Sequence, residues 1–225
     1  MTDNWDFLPR LRDAARSLRL SLTEDQESRL LEYLGLLQRW NRAYNLTAVR
    51  DPSQMLVQHI FDSLAIVPPV IDELGRKTGP AKIVDVGSGA GLPGVVLATL
   101  LPHVAVHCVD TVEKKATFIR YAAGVLRLAN LQSHHARVEE LAPFEADIVV
   151  SRAFASLADF ATLGGAHVAE HGWMLAMKGR EPQEEIAELS AATKWRVDRI
   201  QGLQVPELDA QRCLVWLKNK ESHEQ

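Results

Sequence analysis

The residues best suited to chemistry lie in one segment near the middle of the chain, residues 83–97. An apolar run rich in β-branched residues leads to Asp85, glycines follow at positions 87, 89, 91 and 94, and an apolar helical pattern then resumes. This order predicts a strand, a tight turn and a helix. Glycine adopts positive φ readily and lets a ligand approach the backbone, so the turn is suited to binding a ligand where a parallel strand ends.

The glycine spacing fits two classes of ligand. Asp85-x-Gly-x-Gly-x-Gly is the pattern of S-adenosylmethionine methyltransferases, whereas Gly89-x-Gly91-x-x-Gly94 matches the dinucleotide fingerprint, with Asp110 about 20 residues further on. Asp85 would repel a pyrophosphate but suits the ammonium and sulfonium charges of S-adenosylmethionine. Pro93 removes an N–H that a phosphate at a helix N-terminus would use. The pattern favours the methyl donor and leaves a nicotinamide cofactor as the alternative.

Residues at later strand ends are predicted to complete this site. Asp110 closes the second strand, where its carboxylate can accept both ribose hydroxyls or, alternatively, cap the next helix. Val138 and Glu139 follow the third strand and offer the apolar surface and acceptor that an adenine ring needs. Arg152 follows the fourth strand and suits a phosphate or the methionine carboxylate of the donor, the alternative being a structural salt bridge.

Hydrophobic periodicity predicts the elements that position these residues. Helices are predicted at 5–20, 23–43 and 51–64, and strands alternate with helices from residue 81. The predicted strands are 82–86, 104–110, 131–136, 146–151, 172–178, 195–204 and 211–218, with helices at 91–101, 113–128, 157–169 and 182–193. The fold class is therefore α/β, a doubly wound, mostly parallel seven-stranded methyltransferase (Rossmann-like) sheet with a terminal antiparallel hairpin and an N-terminal helical layer.

The same pattern predicts a domain organisation. Residues 1–80 form a helical extension that Pro68 and Pro69 close, with a linker loop at 75–80. Residues 81–219 form the methyltransferase domain, and residues 220–225 form a frayed tail. His59 and Asp62 share one face of the third helix, where they form either a structural hydrogen bond or part of a substrate cleft.

Composition excludes several function classes. The 225 residues are 47% hydrophobic and 24% charged, as in ordinary globular proteins, and the net charge is −4. No apolar run is expected to span a bilayer and no signal sequence is apparent, so the protein is expected in the cytoplasm. Cys108 and Cys213 lie in apolar strands and are predicted to be buried thiols. No cluster has metal-ligand spacing, and His134 and His135 are expected at the surface.

Motifs of other methyl-transfer chemistries are absent after the fourth predicted strand. Residues 147–154 contain no Asn-Pro-Pro-aromatic sequence, which adenine-N6 and glutamine methyltransferases carry there, and no cysteine nucleophile for pyrimidine C5. Arginines are frequent in the first 50 residues, where they indicate either phosphate binding or solvated helix faces.

The succession of motifs closely resembles one family. The segments are 40–48 (Trp-Asn-Arg-Ala-Tyr-Asn-Leu-Thr-Ala), 59–64 (His-Ile-Phe-Asp-Ser-Leu), 84–94 (Val-Asp-Val-Gly-Ser-Gly-Ala-Gly-Leu-Pro-Gly), 151–154 (Ser-Arg-Ala-Phe) and 178–179 (Lys-Gly). The chain resembles the bacterial small-subunit rRNA guanine-N7 methyltransferases, also called glucose-inhibited division protein B, over about residues 20–219. The resemblance implies a cytoplasmic enzyme that uses S-adenosylmethionine to methylate N7 of one guanine in the decoding-region loop of 16S rRNA.

The resemblance also implies particular site residues. Residues that look like cofactor contacts by the resemblance are Gly87, Leu92, Val138, Glu139 and Arg152. The residue pattern itself adds Asp85, Gly89 and Gly91 in the glycine turn and Asp110 at the end of the second strand. RNA contacts are predicted at Arg42, Asn45, His59, Lys114, Lys115, Arg120 and Lys178. Guanine N7 has its own lone pair, so positioning is expected to supply the catalysis and no general base is predicted. The guanine is expected to be turned out of its stack.

Alternatives remain at this point. A nicotinamide-dependent oxidoreductase would use residues 89–94, and an RNA-binding ribosome-assembly protein would retain an unused cofactor pocket. The expected partner is 16S rRNA, the small ribosomal subunit or an assembly intermediate, with no membrane, and the expected oligomeric state is a monomer.

Overall fold

Seven strands form one sheet in the computed structural model, which describes residues 4–152 and 154–220. The strands are β1 (Ala81–Val86), β2 (Val104–Asp110), β3 (Leu131–His135), β4 (Ala146–Ser151), β5 (Val168–Lys178), β6 (Trp195–Leu203) and β7 (Arg212–Asn219). Their order is β3-β2-β1-β4-β5-β7-β6, with parallel pairing from β3 to β5 and antiparallel pairing of β7 with both neighbours. The predicted sheet with its terminal hairpin is therefore confirmed.

The strand order brings the predicted site to one edge. β1 and β4 are neighbours at the centre, and the chain leaves them toward opposite sides of the sheet. In doubly wound sheets such a reversal opens a crevice at the carboxyl ends of the strands. Val86, Asp110 and Ser151 all lie at this edge.

Both faces of the central strands are buried. Ile83 packs into one core cluster and its neighbour Val84 into another, because successive side chains of a strand point to opposite faces. The covering helices that follow β1 are α6 (Gly94–Leu100), α7 (Glu113–Val125), α8 (Leu157–Gly164) and α9 (Gln183–Ala192). The run of apolar residues in each central strand is thus explained by burial on both sides.

A layer of helices precedes the sheet. It contains α1 (Leu8–Ser17), α2 (Glu24–Tyr44), α3 (Pro52–Met55), α4 (Asp62–Leu64) and α5 (Val67–Leu74). The predicted capping box begins α2, since the Thr23 hydroxyl accepts from the Gln26 N–H and the Gln26 amide oxygen accepts from the Thr23 N–H. Leu34 and Leu37 share one core cluster with Ile83 of the sheet. The helical layer and the sheet therefore share a hydrophobic core, and the division at residue 80 stays a prediction.

Several predicted boundaries differ from the structure. Leu56–Phe61 is a π-helical turn between α3 and α4, a feature that periodicity does not reveal. Pro68 and Pro69 lie in the first turn of α5 instead of closing the region, because a first turn needs no N–H from its residues. The predicted helix 157–169 stops at Gly164, and β5 begins at Val168 instead of residue 172. A Cβ on Gly165 would lie 2.6 Å from Nε1 of Trp195, so the backbone passes close to that indole.

The helical segment Pro52–Leu74 is also long and apolar enough by composition to cross a membrane, contrary to the expectation from the sequence. In this structure 78% of its most apolar window is buried inside the fold. Its hydrophobicity is thus accounted for by packing in the protein core.

Other side chains also test the sequence predictions. Cys108 and Cys213 are free and buried, as predicted. His135 is exposed, but His134 is half-buried and its Nε2 lies 3.1 Å from Nδ1 of His107. Lys220 is not frayed, because its ammonium donates to the carbonyls of Ser190 and Thr193; residues 221–225 lie outside the described residues.

Candidate active site

The glycine turn has the predicted backbone geometry. Gly89 has φ of +60° and Gly91 has φ of +92°, a region that side chains rarely adopt. A Cβ on Gly91 would lie 2.8 Å from the Val95 side chain, whereas a Cβ on Gly89 would meet none of the described atoms within 4 Å. Gly91 is therefore required for packing, and Gly89 presents open backbone on the outer side of the turn.

A cleft of about 360 Å³ opens beside this turn at the carboxyl ends of β1 and β2. We call it the glycine-loop cleft. It is lined by Val86, Gly87, Val109, Asp110, Thr111, Ala136, Arg137, Val138, Glu139, Phe154 and Leu163. Four of the predicted cofactor residues, Gly87, Asp110, Val138 and Glu139, thus come together around one space.

Asp110 connects the cleft to the turn. Its Oδ2 accepts from the Gly89 N–H at 2.8 Å and its Oδ1 accepts from the Val112 N–H at 2.9 Å. The second contact is an Asx-type turn that precedes α7. Asp110 is not the cap of that helix, because Val112 occupies the N-cap position, and the ribose contact stays a prediction. Because each carboxylate oxygen has two lone pairs, both oxygens retain capacity to accept from a ligand hydroxyl.

Asp85 lies beneath the turn and does not line the cleft, although we predicted a direct cofactor contact. It has 0% exposure, and its Oδ2 accepts from the Gly94 N–H at 2.8 Å. Burial raises the pKa of this carboxyl to about 7, partly opposed by the Gly94 hydrogen bond and by Arg152. The first free N–H of α6 is therefore occupied by a side chain of the protein itself. Leu92, another predicted contact, is buried in the hydrophobic core.

A second space, of about 300 Å³, lies on the other side of the end of β4. We call it the arginine hollow. It is lined by Gln58, His59, Asp62, Arg152, Met177, Lys178, Gly179 and Arg212. Arg152 lies here instead of in the glycine-loop cleft, while Phe154, two residues later, lines that cleft.

Charges in the arginine hollow are paired. Asp62 accepts from Arg212 Nε at 3.0 Å and from Arg152 Nη1 at 3.4 Å, and Arg152 also donates to the Gln58 carbonyl at 3.1 Å. The Asp62 side chain is 5% exposed and each guanidinium side chain is 27% exposed. One carboxylate thus fixes two cations that still face the hollow. Arg212 was missed by the sequence analysis, since nothing near it in the chain distinguishes it from other basic strand residues.

His59 lies in the hollow but does not bond to Asp62. Its Nε2 lies 3.0 Å from the Thr47 hydroxyl, and its Nδ1 has no hydrogen-bond partner among the described residues. Burial, followed by the nearby Arg152 charge, lowers the pKa of His59 to about 4. The imidazole is therefore neutral at pH 7. The predicted His59–Asp62 hydrogen bond is wrong, and a place for the two residues in a substrate cleft stays a prediction, since both line the same hollow.

Lys178, a predicted RNA contact, is engaged within the protein. Its ammonium lies 2.8 Å from Oε2 of Glu185 and also donates to the Phe154 carbonyl at 3.2 Å. The same Glu185 oxygen accepts from the Leu157 N–H at 2.8 Å. Only 13% of the Lys178 side chain is exposed, so the structure gives it the role of fixing the chain after β4.

The remaining predicted RNA residues lie on or next to two helices, α2 and α7. Arg42 and Asn45 are exposed at the end of α2, and Asn45 accepts from Arg50 at 3.1 Å. Lys114 and Arg120 are exposed on α7, whereas Lys115 is half-buried with its ammonium 4.0 Å from Asp110. Within the described part of the chain, no group of three His, Cys, Asp or Glu side chains is arranged to hold a metal ion.

Solved structures share this fold. A SAM-dependent methyltransferase from Aquifex aeolicus superposes with a TM-score of 0.54 at 19% identity, covering 74% of this chain and 93% of that chain. A ribosomal protein L11 methylase from Lactobacillus delbrueckii subsp. bulgaricus gives a TM-score of 0.53 at 14% identity, covering 72% and 77%. At these identities the similarity concerns the fold alone.

Sequence comparison is more specific. "Ribosomal RNA small subunit methyltransferase G" of Bordetella avium (strain 197N) is 55% identical over 212 residues, covering 94% of this chain and 93% of the relative. The protein of the same name from Acidovorax sp. (strain JS42) is 51% identical over 225 residues, covering 97% and 98%. Residues 26–215 match the family GidB, rRNA small subunit methyltransferase G. The chain therefore belongs to the GidB family of rRNA small subunit methyltransferases.

Proposed function

We propose that this protein transfers a methyl group from S-adenosylmethionine to N7 of a guanine in 16S rRNA, in the loop of the decoding region. The observation that carries the proposal is the glycine-loop cleft, in which open glycine backbone and the Asp110 carboxylate meet. The family to which the chain belongs narrows the acceptor to small-subunit rRNA.

The residues of the cleft fit an adenosine-bearing ligand. Val109, Val138 and Leu163 provide apolar surface for a flat ring, and the Asp110 carboxylate suits a ribose diol. Glu139, 38% exposed at its side chain, lies where it can accept from an exocyclic amine. Gly87 lines the cleft with backbone alone. When bound, S-adenosylmethionine supplies an electrophilic methyl group on a cationic sulfur.

Positioning is the main task that the chain must perform. Guanine N7 presents a lone pair without losing a proton, so alignment of N7 with the methyl carbon supplies much of the rate enhancement. We assign the arginine hollow to the RNA side, since Arg152 and Arg212 face it and lie next to the cleft at the end of β4. Asp62 fixes both guanidiniums before RNA arrives, which limits the entropy lost on binding.

The nicotinamide alternative is not supported. In dinucleotide-binding folds the pyrophosphate lies at the N-terminus of the helix after the glycine turn. Here the buried Asp85 carboxylate accepts from the Gly94 N–H at that position. A pyrophosphate would have to compete with this internal acceptor. The assembly-protein alternative is likewise without support, since the chain belongs to a methyltransferase family.

We further propose that the protein acts in the cytoplasm as a monomer without membrane contact, on 16S rRNA or on a small-subunit particle. Two measurements test the function. Mass spectrometry of 16S rRNA from cells that lack the protein should show loss of one 7-methylguanosine, restored by the intact gene. Calorimetry should show binding of S-adenosylhomocysteine and none of NAD. Unchanged modification in the deleted cells would reject the proposal.

A further inference from the structure

Two helices of the protein present a half-exposed group of aromatic rings. Tyr44 at the end of α2 is 49% exposed, and Tyr121 on α7 is 47% exposed. Trp40 lies between them, with ring centroids 5.1 Å from Tyr44 and 5.3 Å from Tyr121. We call Trp40, Tyr44 and Tyr121 the aromatic face.

Packing of α2 on α7 does not require the outer rings to be aromatic. The inner contact is made by Phe118, which is 0% exposed and lies 5.4 Å from Trp40 and 6.0 Å from the buried Tyr33. Phe118 and Tyr33 form the buried part of the junction. The two exposed tyrosines extend it into solvent, where flat apolar surface has a cost unless a partner covers it.

Basic residues predominate on the parts of α2 and α7 that carry the aromatic face. Lys114 donates to the Tyr44 carbonyl at 2.7 Å, Arg120 precedes Tyr121, and Arg42 lies two residues before Tyr44. Glu113 is the acid on the same part of α7. This local excess of cations contrasts with the net charge of −4 for the chain and is complementary to a phosphate backbone.

Short stretches of chain connect the aromatic face to both spaces of the candidate site. The helix that carries Tyr121 and Lys114 begins three residues after Asp110 of the glycine-loop cleft. On the other side, the chain runs from Tyr44 to Thr47, whose hydroxyl contacts His59 in the arginine hollow. A nucleic-acid strand with one base in the hollow could therefore lay neighbouring bases along α2 and α7.

We propose that the aromatic face stacks unpaired bases of the rRNA that flank the target guanine. This proposal rests on the proposed function and adds a second recognition surface to it. Exposed aromatic rings beside cations bind unpaired nucleotides by stacking, and this interaction tolerates different base sequences. A paired helix would not present its bases to these rings, so the proposal selects single-stranded or loop RNA.

Steady-state kinetics with alanine and phenylalanine variants test the proposal. Tyr44→Ala and Tyr121→Ala should each raise KM for a deproteinised 16S rRNA fragment roughly tenfold with kcat within about twofold. Tyr44→Phe and Tyr121→Phe should behave as wild type, because the ring remains. Ile71→Ala removes an exposed apolar side chain elsewhere and should leave KM unchanged. Binding of S-adenosylhomocysteine, measured by calorimetry, should be equal in all variants and shows that each is folded.

The outcomes separate the two proposals. Failure of the wild-type protein to methylate any guanine N7, in the naked fragment and in intact small subunits alike, would reject the proposed function itself. Methylation by wild type with unchanged KM in both alanine variants would reject the aromatic face as a stacking surface. A rise in KM confined to intact small subunits, with none for the naked fragment, would also reject it and indicate a ribosomal protein as the occupant.

Discussion

The two spaces at the end of β4 are built in different ways. The glycine-loop cleft combines backbone and apolar side chains with a few polar groups, and most of its residues lie at or just after the ends of strands. The arginine hollow depends on ion pairs between residues far apart in the chain, Asp62 with Arg152 and Asp62 with Arg212. The first selects a ligand by shape and by a few acceptors. The second holds the guanidiniums of Arg152 and Arg212 in place, and we propose that these contact the RNA.

Because of this difference, the two spaces are sensitive to different substitutions. The cleft depends on the exact path of the glycine turn, which Asp85 supports from below and Asp110 from the side. The hollow depends on one carboxylate, Asp62, that pairs with two cations. Substitutions can therefore damage one space and spare the other.

The largest effect is expected for Asp85→Asn, measured as the pH dependence of unfolding. The folded-state pKa of Asp85 is raised from 3.8 to about 7, so its contribution to stability is full below pH 3.8 and is lost as the pH rises to 7. The loss in wild type is on the order of 4 kcal/mol at most. Asparagine does not ionise, so Asp85→Asn should not show this loss. Its stability relative to wild type should therefore increase as the pH is raised from 4.5 to 7.5. If the free energy of unfolding differed between variant and wild type by the same amount at pH 4.5 and pH 7.5, the prediction would be wrong.

The next largest effect is expected for Asp62→Ala. It leaves two partly buried guanidiniums without their carboxylate, and we expect a loss of about 3 kcal/mol in the free energy of unfolding. The RNA KM should rise, while affinity for S-adenosylhomocysteine should stay within twofold because the glycine-loop cleft is intact. Asp62→Asn is the matched control and should lose less stability. If the affinity for S-adenosylhomocysteine fell as many-fold as the RNA KM rose, the two spaces would not be independent.

The reverse experiment uses Asp110→Ala, which removes the acceptor of the Gly89 and Val112 N–H groups. We expect the affinity for S-adenosylhomocysteine to fall about thirtyfold, or about 2 kcal/mol, in calorimetry. Asp110→Asn keeps an acceptor without the charge and should fall less. RNA binding without cofactor should be unchanged, and a matching loss of RNA affinity would count against the separation of cleft and hollow.

The smallest effect concerns His59. Its pKa is lowered to about 4, so the side chain should show no titration between pH 5.5 and 8 in NMR, with His59→Gln identifying the signal. Its contribution to stability is full above pH 6.5 and is lost as the pH falls toward 4. A titration midpoint near pH 6.5 would show that His59 is more exposed to solvent than the structure indicates.

The sequence predicted the cleft better than the hollow, for a physical reason. Asp110, Val138 and Glu139 each follow a strand, and parallel strands bring their carboxyl ends to one edge whatever the rest of the chain does. Arg152 was found by the same logic, but its partner Asp62 lies 90 residues away, and Arg212, the other partner of Asp62, lies 150 residues from that carboxylate. Lys178 was expected to face RNA, and only the return of α9 shows that Glu185 pairs with it.

Helix α2 has a consequence for how chain length can vary. Its 21 residues span roughly 30 Å, from Gln26, which bonds the Thr99 carbonyl, to Tyr44, whose carbonyl accepts from Lys114. A single inserted residue within it would rotate Tyr44 by about 100° about the helix axis and remove it from Lys114. Insertions and deletions among relatives should therefore avoid residues 24–44.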